Sequence, residues 1–97
     1  MGLFVALLEF AEDEDLRLRT RPRHREYLKG LLASGKLRLS GPWADDTGAL
    51  LVYQADDQAE AEALLAADPY RQEGVLADAR IKEWRIVFDA ATSPETS

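Results

Sequence analysis

The segment Thr20-Arg-Pro-Arg-His24-Arg-Glu-Tyr-Leu-Lys-Gly-Leu-Leu-Ala-Ser-Gly35 carries the only histidine of the chain. Its pattern predicts a helix from Thr20 to Ser34. A hydroxyl residue stands as N-cap, Pro22 falls in the first turn where its missing N–H costs little, and Gly35 suits the left-handed position past a helix end. His24, Leu28, Leu31 and Leu32 then fall at i, i+4, i+7 and i+8, one stripe of that helix. Arg23, Arg25, Glu26 and Lys29 take much of the remaining surface. The one side chain that titrates near neutrality is thus placed on the apolar stripe.

On either side of this helix the chain alternates between apolar runs and turn signals. Leu3 to Phe10 reads as a strand with both alternating faces apolar, bounded by the acidic loop Glu12 to Asp15. Leu37 to Ser40 predicts a second strand, broken by Gly41-Pro42. Trp43 to Gly48 reads as a hairpin turn, and Leu50 to Ala55 as a third strand. Asp57 opens a second helix with Glu60 at capping-box spacing, its inner face made of Ala59, Ala63, Leu64 and Ala67. Pro69 ends it, and residues 69 to 74 read as a short helical turn. Arg80 to Phe88 is the last strand. The order β-α-β-β-α-β is the ferredoxin-like split arrangement of an α+β domain. Two helices cover one face of a four-stranded sheet, yet strands one, three and four are apolar on both. The expectation is a homodimer that covers the open sheet face.

The totals narrow the function classes. Ninety-seven residues make a single domain, here 1–89, with a polar C-terminal tail, 90–97, expected to be disordered. A hydrophobic fraction of 46% with 31% charged residues suits a globular chain, and a net charge of −6 argues against nucleic acid as a partner. The absence of cysteine excludes disulfides, thiolate nucleophiles and thiolate metal sites, and fits the cytoplasm. No apolar run approaches the roughly 20 residues that span a bilayer, and the N-terminus is no signal peptide. One histidine with only carboxylates for company leaves no metal site, and no cofactor is expected.

His24 is either a core histidine bonded to a carbonyl or a general base, and a base needs an orienting carboxylate. Among the acids, Asp68 stands apart, because it ends the second helix where Pro69 turns the chain. It suits two tasks, capping the next turn and orienting a histidine from a neighbouring helix. Arg21, one helical turn before His24, is the candidate to offset the charge of an anionic ligand.

Arg21-Pro-Arg-His24, Ser40-Gly41-Pro42, Asp68-Pro69-Tyr70 and Ile81-Lys-Glu-Trp84, in this order and spacing, resemble the YciI-like (YCII-related) family over roughly Leu3 to Phe88. The resemblance implies a dimeric α+β barrel like that of muconolactone isomerase, with a pocket holding a His–Asp pair. By that likeness His24 and Asp68 are the catalytic pair, and Ser40, Gly41, Pro42 and Tyr70 line the pocket with Arg21. It also implies a reaction class, removal of chloride from a chlorinated hydroxyaromatic by a proton-abstracting elimination.

Two functions stand at this point. One is a small enzyme of lyase or hydrolase type, using His24 and Asp68 for acid–base chemistry on a small aromatic or anionic molecule. The other is a non-catalytic dimeric module that binds a small molecule or assists an enzyme. A cofactor-free monooxygenase is a third, by analogy of fold alone. A serine triad lacks its Gly-x-Ser-x-Gly elbow. The odd-numbered arginines from Arg17 to Arg25 read as a solvated face.

Overall fold

Strand β1 (Gly2–Phe10) lies at the centre of the fold, because it is the one strand with backbone partners on both sides that also joins the two halves of the chain. A computed structural model describes residues 1–91, in the order β1, α1 (Glu14–Ala33), β2 (Leu37–Pro42), β3 (Gly48–Ala55), α2 (Gln58–Ala66), α3 (Pro69–Gln72) and β4 (Leu76–Trp84). The sheet is antiparallel with strand order β2-β3-β1-β4, the ferredoxin-like order. Register sorts the side chains between the two faces. Phe4, Ala6 and Leu8 of β1 pair with Tyr53, Leu51 and Ala49 of β3, and all six are buried beneath the helices. Leu3, Val5 and Leu7 point to the opposite face, beside Leu50, Val52 and Trp84.

Helix α1 begins six residues earlier than its sequence pattern predicts. Asp13 is the N-cap, its Oδ1 accepting the Leu16 N–H at 3.0 Å, and Glu14 and Asp15 complement the positive end of the helix. The acidic loop is therefore the first turn. Thr20 is no cap. It is buried inside the helix, and its hydroxyl donates to the Leu16 carbonyl at 2.8 Å. Pro22 sits within the helix rather than at its start. The C-terminus is as expected: Gly35 has φ +80° and Lys36 N–H returns to the Leu31 carbonyl at 2.8 Å. Leu32, placed on the inner stripe by spacing, is 56% exposed, because the stripe is set by Thr20, His24 and Leu28.

The remaining elements depart from expectation at their ends. β2 runs on through Gly41 and Pro42, which pair with Leu50 and Ala49; a proline is tolerated there because β2 is an edge strand. Gly48 is required where β3 begins, since a Cβ there would lie 2.0 Å from the Leu8 carbonyl oxygen. Asp57 caps α2, accepting the Glu60 N–H at 2.8 Å, while the Glu60 carboxylate reaches back to Asp56 N–H at 2.6 Å. The inner face of α2 is Ala61 and Leu65 with Leu64 half-buried; Ala59, Ala63 and Ala67 face outward. β4 starts at Leu76 and ends at Trp84. Trp84 pairs with Leu3, so almost no β1 backbone remains for Ile86 and Phe88 to join, and they leave the sheet. Residues 85–91 instead follow the open face, where Arg38 holds Asp89 at 3.1 Å. Of the expected tail, Ala90 and Ala91 form a turn, and residues 92–97 lie outside the described residues.

Candidate active site

His24 projects from the middle of α1, and Asp68 stands between α2 and α3. His24 Nδ1 lies 2.7 Å from Asp68 Oδ1, and Asp68 is fully enclosed. With Asp68 ionised the carboxylate can only accept, and the contact then requires the proton on Nδ1. The same Oδ1 accepts the Tyr70 N–H at 2.9 Å, so Asp68 caps the short helix α3 and holds the imidazole at once. Local sequence explains the placement. The Ala67 and Asp68 N–H groups close the last turn of α2, and Pro69, with no N–H to offer, starts α3 from an extended Asp68.

Tyr70 stacks flat on the His24 ring, centroids 3.8 Å apart and planes parallel. Phe10, at the end of β1, meets Tyr70 edge-on at 5.7 Å, and the Arg17 guanidinium lies 4.9 Å over the Phe10 ring. The ring is thus clamped by a carboxylate at one nitrogen and an aromatic face. Nδ1 being engaged, Nε2 is the nitrogen left for the cavity that His24 lines. That cavity, about 370 Å³, lies between α1 and the β2–β3 hairpin. Arg21, Ser40, Gly41, Pro42 and Tyr70 all line it with His24, so the structure brings together every residue singled out from the sequence except Asp68, which stands behind the imidazole.

Sequence reasoning missed part of the wall. Arg17, Arg25 and Asp46 line the cavity, with Phe10, Leu28, Ala49 and Leu51 as its apolar part. Arg25 is exposed, as its place on the helix surface implies, and still borders the cavity, whereas Arg17 is buried in the wall and not solvated. Once α1 starts at Glu14, Arg17, Arg21 and Arg25 stand at i, i+4 and i+8 on one face, and that spacing was the available signal. Arg17 is buried, 3.5 Å from Glu14. Asp46 reaches the rim from the hairpin turn, where its φ is +60°.

Two further phenols stand in the field of Asp68. Burial first, and the Asp68 charge second, push the Tyr53 phenol far above its ordinary value, and the same causes raise Tyr27. Tyr27 donates to the Leu64 carbonyl at 2.6 Å. The Tyr53 hydroxyl and Asp68 Oδ2 are enclosed with no hydrogen-bond partner among the described residues. Among those residues no group of three or more His, Cys, Asp or Glu side chains could hold a metal ion, and no helix is long and apolar enough to cross a membrane.

A profile of the YCII-related domain matches residues 3–85. The chain belongs to the YCII-related family. This YCII-related domain is 38% identical over 63 residues to the uncharacterized protein YjpA of Bacillus subtilis (strain 168), a match spanning 65% of this chain and 73% of that protein. It also resembles the solved structure of 5-chloro-2-hydroxyhydroquinone dehydrochlorinase (TftG) from Burkholderia phenoliruptrix AC1100, in complex with 2,5-dihydroxybenzoquinone. The TM-score is 0.75 at 25% identity, covering 86% of this chain and 93% of that one. The fold is the ferredoxin-like α+β class of the muconolactone isomerase-like barrels.

Proposed function

We propose that this YCII-related domain is a lyase-type enzyme that performs acid–base chemistry on a small hydroxylated ring, with His24 as the base. The observation that carries the proposal is the 2.7 Å contact between His24 Nδ1 and a fully enclosed Asp68, at the wall of a cavity lined by arginines. A neutral imidazole protonated at Nδ1 has its lone pair at Nε2, which takes a proton from a hydroxyl or an acidic C–H of the ligand. Asp68 keeps the tautomer and stabilises the imidazolium that forms. Arg21 lies one turn away to balance negative charge developing on the ring. In an elimination, the electrons released by that proton move through the ring, and a halide leaves with the C–X bond pair. The neighbouring dehydrochlorinase and its quinone ligand support this substrate class.

The working unit in this reading is a homodimer of single domains, residues 1–89, packed through the open sheet face. Leu3, Val5 and Leu7 with Leu50 and the 47%-exposed Trp84 form an apolar surface there that suits a second copy. The cysteine-free chain fits a cytoplasmic setting.

The test is solvent proton exchange. A panel of hydroxyquinols and hydroxyquinones is incubated in D₂O with the protein, and deuterium wash-in and halide release are followed by NMR and ion chromatography. His24→Gln should slow exchange by roughly 10²- to 10⁴-fold while the circular dichroism spectrum is retained. Exchange that proceeds equally in the folded His24→Gln variant assigns the cavity to binding alone and overturns the enzyme reading.

A further inference from the structure

The chain as a whole carries a net charge of −6, yet the cavity wall inverts that sign. Buried Arg17, half-buried Arg21 and exposed Arg25 line it against the single acid Asp46. The ion pairs of the described residues engage Arg17, Arg23, Arg38 and Arg80, but neither Arg21 nor Arg25. These two stand one turn apart on the same face of α1, about 6 Å along the axis at the helical rise, and flank His24 in sequence. Guanidinium groups brought into a shared concavity without a carboxylate partner are matched by an anion from outside.

A phenol does not meet this requirement well. An ordinary phenol titrates near pH 10, so at neutrality it would enter uncharged and leave the arginines unmatched. A carboxylate is ionised throughout that range, and its two coplanar oxygens fit the planar fork of a guanidinium. The lining also includes the apolar side chains of Phe10, Leu28 and Leu51, which offer a ring a surface to lie against. The volume of about 370 Å³ is at the small end of the range for ligand pockets, suited to one ring rather than two.

We propose that the cavity is built for an aromatic hydroxy acid, whose carboxylate lies on Arg21 and Arg25 and whose hydroxyl is presented to Nε2 of His24. The assignment of the hydroxyl rests on the base role proposed above; the carboxylate clamp does not. Ligands that stay uncharged at neutrality, such as a simple hydroquinone, enter the same space but forgo the clamp. The substrate class is therefore narrower than uncharged hydroxylated rings.

The experiment is a calorimetric and NMR titration of the full chain with 2,5-dihydroxybenzoate, and with hydroquinone as the same ring lacking the carboxylate. The acid is expected to bind at least tenfold more tightly, a difference of about 1.4 kcal/mol. In Arg21→Gln/Arg25→Gln, with the fold checked by circular dichroism, that ratio should fall to near one. Single substitutions at Arg21 and Arg25 should each give an intermediate ratio. In His24→Gln the preference for the acid should survive, which separates failure of the base from failure of the clamp. Hydroquinone binding as tightly as the acid, a preference that persists in the double variant, or no saturable binding of the acid at about 10 mM overturns the assignment.

Discussion

Replacing Asp68 by asparagine and by alanine separates the two tasks given to one oxygen. Asp68 Oδ1 accepts two hydrogen bonds, from His24 Nδ1 at 2.7 Å and from Tyr70 N–H at 2.9 Å, in a fully enclosed position. Alanine removes both. A lost hydrogen bond to a charged group costs about 1.5–3 kcal/mol, and a lost helix cap about 1 kcal/mol. The Asp68→Ala domain should therefore lose about 2.5–4 kcal/mol, a large part of the roughly 5–15 kcal/mol that holds such domains together. At about 4–8 °C per kcal/mol for this size, the melting temperature should fall by about 10–30 °C. Asparagine keeps an acceptor for the Tyr70 N–H and nearly the same shape, and relieves the burial of a charge, so its loss should be only about 1 kcal/mol. Its amide oxygen is neutral, however, and no longer stabilises the imidazolium that forms when Nε2 takes a proton. Exchange activity should then drop about 10²-fold in Asp68→Asn, though the protein stays nearly as stable. Calorimetry and D₂O exchange on the three proteins decide the matter. Equal destabilisation by asparagine and alanine, or full activity in Asp68→Asn, would refute the reasoning.

Two other expectations follow from single residues. The Tyr53 phenol is held protonated in the folded chain by burial and by Asp68, so the unfolded chain gives up that proton first. Stability should be unaffected by this group below about pH 10 and fall above it by about 1.4 kcal/mol per pH unit; Tyr53→Phe should flatten the slope measured by urea denaturation between pH 10 and 11, and an unchanged slope would contradict it. Trp84→Lys places a charge on the open sheet face, so sedimentation should find a dimer for the parent chain and a monomer for the variant; a monomeric parent would refute the dimer proposal.

The fold was legible in the sequence because its signals are local. Apolar runs of strand length, Gly35 after a helix, Asp57 with Glu60, and Pro69 as a stop each need only a few neighbouring residues. The order of elements then followed, and with it the sheet. What was misread turned on choices between two local signals. Thr20-Arg-Pro22 imitates a helix start, but Asp13 with Glu14 and Asp15 makes a better one, and the helix runs through Pro22 with Arg17 and Thr20 buried. Ala59, Ala63 and Ala67 are spaced like an inner face, but the larger Leu65 sets which side of α2 is buried. The end of β4 could not be read from Ile86 and Phe88, since it depends on where β1 runs out.

The site was legible in part for the same reason. His24 and Asp68 are 44 positions apart, and no periodicity joins them; the motif resemblance paired them, and the packing of α1 against α3 supplies the contact. Arg17 escapes notice because the expected helix starts too late, while Arg25 already stands one turn from Arg21 in it and is counted with the outer surface. With the true start, a row of three arginines on the face of the histidine would have been visible before any coordinates.

The most direct check on the central claim uses the fact that the chain has one histidine. A ¹⁵N-labelled sample gives one imidazole spectrum, with no assignment problem, and its two ring nitrogens report which carries the proton. The account predicts, at pH above the imidazole transition, a protonated Nδ1 with its proton bonded to Asp68 and an unprotonated Nε2 that shifts when an aromatic hydroxy acid is added. A proton resident on Nε2, or an Nε2 signal indifferent to every ligand that enters the cavity, would contradict it.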